Sequence, residues 1–181
     1  MTFAGPAQEP RTAGDGPVAP SIAGLKGRLL LIRPTRPVEY NVPSKLTASG
    51  TEDRMTADII VLDGEPVFSW YSTKQSETVT MSERPAMVDG DGKVVAPATP
   101  LTIPAEFKGR YVSQKVLIKA CATALDPNQP DITMALGRLQ KESPAGGGNP
   151  YWFLADPTAA DIALATAWET ASKAAAPSPF G

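Results

Sequence analysis

The sequence contains no histidine and a single cysteine, Cys121, in 181 residues. Without histidine it cannot form a Ser-His-Asp or Cys-His nucleophile system, a facial triad or a histidine-containing zinc site. One cysteine provides neither a thiolate zinc cluster nor an internal disulfide. Cys121 lies in the apolar run KVLIKACATAL, which is typical of a buried thiol that packs as a small hydrophobic group. We therefore expect a protein that is not an enzyme and needs no cofactor.

Long apolar runs are also absent, and the net charge is close to zero. No run approaches the roughly 18 apolar residues of a membrane-spanning helix, and the first residues lack the pattern of a secretory signal. We therefore expect a cytoplasmic protein without a membrane partner. The net charge is −2; residues 1–20 and 156–181 hold −1 and −2 of it, which leaves +1 for residues 21–155. A nearly neutral core permits nucleic-acid binding if its positive side chains share one face.

The two ends of the chain differ in composition from its centre. Residues 1–24 are rich in proline, glycine and alanine, and too few large apolar side chains occur there to offset the entropy of ordering. Residues 174–181 contain Pro177 and Pro179, which exclude a regular helix. The sequence therefore predicts a flexible tail at each end of one domain over residues 25–173.

Short apolar runs bounded by glycine or proline predict strands. Glycine inside one of these runs, Gly137, suggests a bulge or a sharp bend. Residues 74–110 alternate polar stretches with prolines and are expected to form a long loop, with a hairpin at VDGDGKVV (88–95). The predicted strands are GRLLLIRP (27–34), ADIIVLDG (57–64), PVFSWYST (66–73), DITMALGRLQK (131–141) and the aromatic run from Tyr151 to Leu154.

Two segments have helical patterns. Residues 113–125 place apolar side chains on one stripe, with Ser113 as the expected N-cap. After Pro157, Thr158 and Asp161 have the spacing of a capping box before an alanine-rich helix. Strands before, between and after helices, without regular βαβ alternation, predict a β-barrel with appended helices, an α+β fold.

Acidic residues suggest two kinds of metal site. Asp89-Gly-Asp91-Gly is similar to the start of a calcium loop, but Lys93 stands where a ligand belongs and no glutamate follows nearby, so a tight hairpin turn is favoured. Clustered carboxylates would suit a two-metal nuclease, although scattered acids are more often solvated surface. The aspartates concerned are Asp53, Asp58, Asp63, Asp89 and Asp91.

Single-strand binding needs cations along a groove and aromatic rings on which bases stack. For each such residue, core packing or a solvated surface is the alternative. The rings of the predicted site are Trp70, Tyr71, Tyr151 and Trp152, with Tyr40 and Tyr111 as further candidates. Its cations are Arg28, Arg33, Arg36, Lys45, Arg110, Lys115, Arg138 and Lys141, with Lys108 as a further candidate.

The order of these segments resembles a family of small proteins from actinobacterial phages that are regarded as single-stranded-DNA-binding proteins with an OB-like fold. The resemblance covers roughly residues 24–170, and the segment from 72 to 110 looks additional to the family pattern. It implies an OB-like barrel with a long inserted loop and a C-terminal helix. The segments that carry it are GRLLLIRP, ADIIVLDG, SQKVLIKA, MALGRLQK and NPYWFLADPTAADIALA, with Leu136-Gly137-Arg138-Leu139 among the sharpest parts.

The resemblance implies sequence-tolerant binding of single-stranded DNA during phage replication or recombination. We also expect a homo-oligomer. The terminal Pro179-Phe180-Gly181 is similar to the Pro-Phe ends by which bacterial single-strand-binding proteins recruit partners, although the acidic run that normally precedes such an ending is missing. This similarity suggests replication or recombination proteins as partners. The main alternative is a virion structural or assembly protein, for which a barrel with flexible arms and no catalytic residues would look the same. A metal-dependent nuclease is the third hypothesis.

Overall fold

The computed structural model describes residues 11–12, 20–44, 47–71, 78–84 and 86–175. Lys45 and most of the predicted N- and C-terminal tails lie outside them. Short 3₁₀ helices lie at Ile22–Leu25 and Thr123–Leu125, and the α-helices are α1 (Lys115–Ala120) and α2 (Ala159–Ala175). The strands are β1 (Arg11–Thr12), β2 (Leu29–Pro34), β3 (Glu39–Pro43), β4 (Thr51–Val61), β5 (Phe68–Tyr71), β6 (Thr78–Met81), β7 (Glu83–Arg84), β8 (Met87–Val88), β9 (Val94–Ala96), β10 (Thr99–Pro100), β11 (Ala105–Val112), β12 (Ala135–Glu142) and β13 (Tyr151–Ala155).

The chain divides into two compact units. One is formed by Met1–Leu25 with Glu65–Thr102, and the other by Lys26–Gly64 with Ile103–Gly181. The single domain predicted over 25–173 therefore spans both units. In the smaller unit, β5 pairs with β6, β7 with β10, and β8 with both β1 and β9. The pairing of β8 with β9 confirms the hairpin predicted over 88–95.

The larger unit is built on one antiparallel sheet with the order β11-β4-β2-β12-β13, to which β3 adds by pairing with β4. Its strands β12-β2-β4-β11 have the spatial order 4-1-2-3 of a Greek key. Among the described residues, no pairing joins β11 to β13, so the sheet is open at these two edges. The predicted α+β class is confirmed.

Both faces of the central strands are covered, which explains the unbroken apolar run of β2. Leu29 and Leu31 lie on one face, where Ala165 and Trp168 of α2 pack against the core that they share. Leu30 and Ile32 lie on the other face and are also fully buried. The helix α1, whose Leu117 is buried, contacts β4 and β13. No helix in the described part of the chain is long and apolar enough to span a bilayer.

The capping box predicted for the last helix is confirmed. The backbone N–H of Thr158 donates to Oδ2 of Asp161 at 2.9 Å, and the N–H of Asp161 donates to Oγ1 of Thr158 at 3.2 Å. Asp161 Oδ1 also accepts from Nη2 of Arg138 on β12 at 2.6 Å. The helix cap therefore connects α2 to the sheet as well as closing the helix.

Two local predictions are wrong. Ser113 does not cap α1: the N-cap is Gln114, without a side-chain hydrogen bond, and the α-helix ends at Ala120, short of the predicted residue 125. Gly137 is not a bulge, because it pairs in register with Leu30. A Cβ at Gly137 would lie 2.6 Å from the carbonyl oxygen of Ala155, so glycine allows the close approach of β13.

The loop predicted over 74–110 is also wrong, because this segment contains short strands and most of β11. Ala105 and Phe107 are buried and pair with β4, as a strand with alternating side chains requires. The register then shifts between Phe107 and Arg110, where Gly109 has a φ of +61°. This bulge breaks the period of two and hides the strand from a sequence pattern.

Candidate functional site

Four of the five aspartates considered for a metal site, Asp53, Asp58, Asp63 and Asp89, accept hydrogen bonds from other groups. Asp58 Oδ2 accepts from Arg33 at 2.8 Å, and Asp63 Oδ2 accepts from Arg138 at 2.7 Å. Asp89 Oδ1 accepts from the N–H groups of Asp91 and Lys93 at 3.0 and 2.9 Å, as a tight turn requires. Throughout the described ranges, no three acidic or cysteine side chains gather as a metal-binding group.

Arg33 connects three strands by ion pairs. Its Nη2 contacts Asp58 of β4 and lies 2.9 Å from Oε1 of Glu106 on β11. Burial alone raises the pKa of Asp58, but the Arg33 guanidinium and the N–H of Gly109 outweigh it, so this pKa is lowered. The same pairing with Asp58 raises the pKa of Arg33. Arg33 therefore links β2 to β4 and β11 through these ion pairs.

The other predicted arginines lie in different surroundings. Arg138 bridges Asp63 and Asp161, and its Nη1 donates to the carbonyl oxygen of Gly27 at 3.1 Å. Arg28 lies against Gly64. Arg110 is half-buried opposite the buried Ala57, whereas Arg36 is exposed. Arg28 and Arg138 both contact Asp63, the first at its carbonyl oxygen and the second at its carboxylate.

Two predicted rings, Trp70 and Tyr71, lie on β5 in the smaller unit, and their side chains are outside the described residues. The remaining two lie on β13. Lys141 Nζ is 5.3 Å from the centre of the Trp152 ring, directly opposite it in the register. Tyr151 donates from its hydroxyl to Oε2 of Glu142 at 2.9 Å. This bond to a carboxylate raises the pKa of Tyr151.

A groove of about 400 Å³ between β3 and α1 brings another set of candidates together. Tyr40, which is 70% exposed, lies on its wall, and the exposed Lys115 and Lys119 lie on the helix side. Val38, Ile118 and Leu125 contribute apolar surface. Asp53 contributes one carboxylate. We call this the β3–α1 groove.

A bulge in β3 gives this wall its shape. The register between β3 and β4 shifts between Glu39 and Val42, and Asn41 within the shift has a φ of +53°. Asparagine tolerates this left-handed conformation better than most residues. The N–H of Asn41 donates to Oδ1 of Asp53 at 3.2 Å. Because a bulge redirects the side chains next to it, this one contributes to the direction of the Tyr40 ring.

The structure thus brings Lys115 together with Tyr40, and Lys141 together with Trp152. The sequence analysis missed Lys119 and the apolar lining of the groove. The spacing of Lys115 and Lys119 provided a signal for the first, because side chains four residues apart share one face of a helix. No local sequence pattern predicted the groove wall, because the wall depends on the bulge in β3.

Comparisons with known proteins identify no relative of this chain. No protein-family model matches the chain, and searches of curated proteins and of solved structures find no match.

Proposed function

We propose that the protein binds single-stranded DNA in the β3–α1 groove, with a base stacked on Tyr40 and phosphates next to Lys115 and Lys119. The observation that carries the proposal is Tyr40, an aromatic residue that is 70% exposed at an apolar groove flanked by two exposed lysines. Single-strand-binding proteins combine these two elements, an aromatic face for the base and cations for the backbone.

The topology supports the same proposal. A Greek key of β2, β4, β11 and β12, followed by β13 as a fifth strand, is consistent with a partly open OB-like barrel. OB domains bind oligonucleotides with their second and third strands and with two loops, one after the first strand and one before the fifth. The segment that contains Tyr40 follows the first strand here, and the Lys141–Trp152 pair lies on the fourth and fifth strands, next to the loop that joins them.

DNA binding in the groove should have modest affinity and little preference for base sequence. Two lysines face one aspartate, Asp53, which already accepts a hydrogen bond from Asn41. Stacking and phosphate contacts do not read base edges, so binding is sequence-tolerant. Coating of exposed strands in the cytoplasm, during phage replication or recombination, is the role that we propose, without an enzymatic step or a cofactor.

A fluorescence titration with labelled oligo-dT at about 50 and about 200 mM salt tests this proposal. We expect micromolar or tighter binding that weakens as salt rises. Tyr40→Leu removes the ring and should weaken binding about fivefold or more, whereas Tyr40→Phe keeps the ring and should bind like the wild type. Lys119→Ala should weaken binding, and the matched change Lys173→Ala on α2 should not.

Absence of binding at the lower salt would refute the proposal and favour an assembly protein. Cleavage of the same oligonucleotide that requires Mg²⁺ would favour a nuclease instead.

A further inference from the structure

A second exposed ring, Tyr111, lies on β11. Its side chain is 68% exposed, and Cζ of Arg54 lies 4.7 Å from the ring centre. Arg54 is held in turn by Glu52, whose Oε1 is 3.1 Å from Nη2. The side chains of Arg54 and Glu52 are largely buried, so the Arg54 guanidinium has a fixed place beside the Tyr111 ring. We call this pair the Arg54–Tyr111 platform.

The strand register explains why this ring faces away from the core. Val112 pairs with Met55, and both are buried, whereas Tyr111 pairs with Thr56. Since successive side chains of a strand point to opposite faces, Tyr111 points to the outer face. The core does not require an aromatic ring there.

The platform and the β3–α1 groove are connected around the beginning of β4. A polar cavity of about 340 Å³ lies there, with Thr47, Ser49 and Thr51 in its lining. It shares Asp53 and Lys115 with the groove. It also includes Glu52, the ion-pair partner of Arg54 in the platform. Shared lining residues and the Glu52–Arg54 ion pair therefore link the groove of Tyr40 to the Arg54–Tyr111 platform.

We propose that the Arg54–Tyr111 platform is a second base-stacking position and that one strand runs from Tyr40 through the polar cavity to Tyr111. This inference rests on the proposed function. The two rings are two strands apart, about 10 Å, and about three residues apart along β4, about another 10 Å. The two rings also lie on opposite faces of the sheet. A short oligonucleotide therefore occupies the groove alone, and a longer one reaches both rings.

A length series of oligo-dT from about 4 to about 16 nucleotides, the range of site sizes for such domains, tests the inference. Tyr111→Leu should weaken binding of the longest oligonucleotide about fivefold or more, with an effect that vanishes at the short end. Tyr40→Leu should weaken binding at every length that binds. Tyr111→Phe, which retains the ring, should match the wild type.

Photocrosslinking of the wild-type protein to bromodeoxyuridine oligonucleotides gives a readout that does not depend on the variants. Crosslinks at Tyr40 alone with the short strand, and at both Tyr40 and Tyr111 with the long one, would support the inference. If Tyr40→Leu weakens binding but Tyr111→Leu has no effect at any length, the second position is wrong and the proposed function stands. If no length of oligo-dT binds the wild type, both are wrong.

Discussion

Gly137 provides a direct test of the sheet geometry beside the candidate site. Changing it to alanine would place a Cβ 2.6 Å from the carbonyl oxygen of Ala155 and 2.8 Å from Cβ of Leu154. Ordinary van der Waals contact begins several tenths of an ångström further out, so β13 has to move away from β12. The obstacle includes backbone, which cannot rotate aside as the end of a flexible side chain can.

Overpacking of this kind destabilises a protein by about 1–3 kcal/mol. Replacing glycine by alanine also restricts the unfolded chain, which returns about 0.4–1 kcal/mol where the native backbone tolerates alanine. We therefore expect Gly137→Ala to lower the free energy of unfolding by about 1–2 kcal/mol. For a protein of this length, that corresponds to a fall in Tm of roughly 2–8 °C.

Urea and thermal unfolding, followed by tryptophan fluorescence, measure this change in the unit that contains Trp152 and Trp168. Gly146→Ala is the matched control, because a Cβ at Gly146 would meet no atom within 4 Å. It should be neutral or slightly stabilising. Equal stability of Gly137→Ala and the wild type would refute the close approach of β12 and β13.

Three further predictions concern charge and burial. If Lys115 and Lys119 each neutralise one phosphate, the logarithm of the association constant should change with the logarithm of the salt concentration with a slope of about −1.4. In Lys119→Ala this slope should be shallower, about −0.7, and an unchanged slope would show that Lys119 does not contact a phosphate. The N–H and hydroxyl of Thr158 hold the pKa of Asp161 below its usual 3.8, so this carboxylate stabilises the fold above about pH 4 and ceases to do so as the pH falls through its lowered pKa. Asp161→Asn should therefore be less stable than the wild type in urea at pH 7, with a difference that shrinks under strong acid; a constant difference would contradict this. Burial raises the pKa of Cys121 to about 12, so iodoacetamide should label the thiol in urea but not in the native protein at pH 8, and rapid native labelling would contradict its burial.

Local patterns predicted the elements whose signal lies within a few residues. The apolar run of β2, the Asp-Gly turn after Val88 and the capping box of Thr158 with Asp161 all appear as expected. β11 was missed because its bulge at Gly109 breaks the alternation. Gly137 was misinterpreted because a glycine required by a neighbouring strand and a glycine required by a bulge look the same in the sequence.

The candidate site was predictable only in its residue types. Arg33 and Arg138 belong to the set of cations that the sequence offers, yet folding places carboxylates beside both, and their guanidinium groups stabilise the sheet. Lys115 meets Tyr40 across a groove whose two walls are about 75 residues apart in the chain. Local composition does not indicate a contact between two residues so far apart in the chain.

The sequence by itself excluded sites that need histidine or two cysteines, and it determined where apolar segments begin and end, because both follow from residue identity and from spacing along the chain. Only the tertiary structure decided which cations remain available and which rings stay exposed. Those properties depend on which strands become neighbours, on the bulges that redirect side chains, and on the carboxylates that each strand brings to its partner.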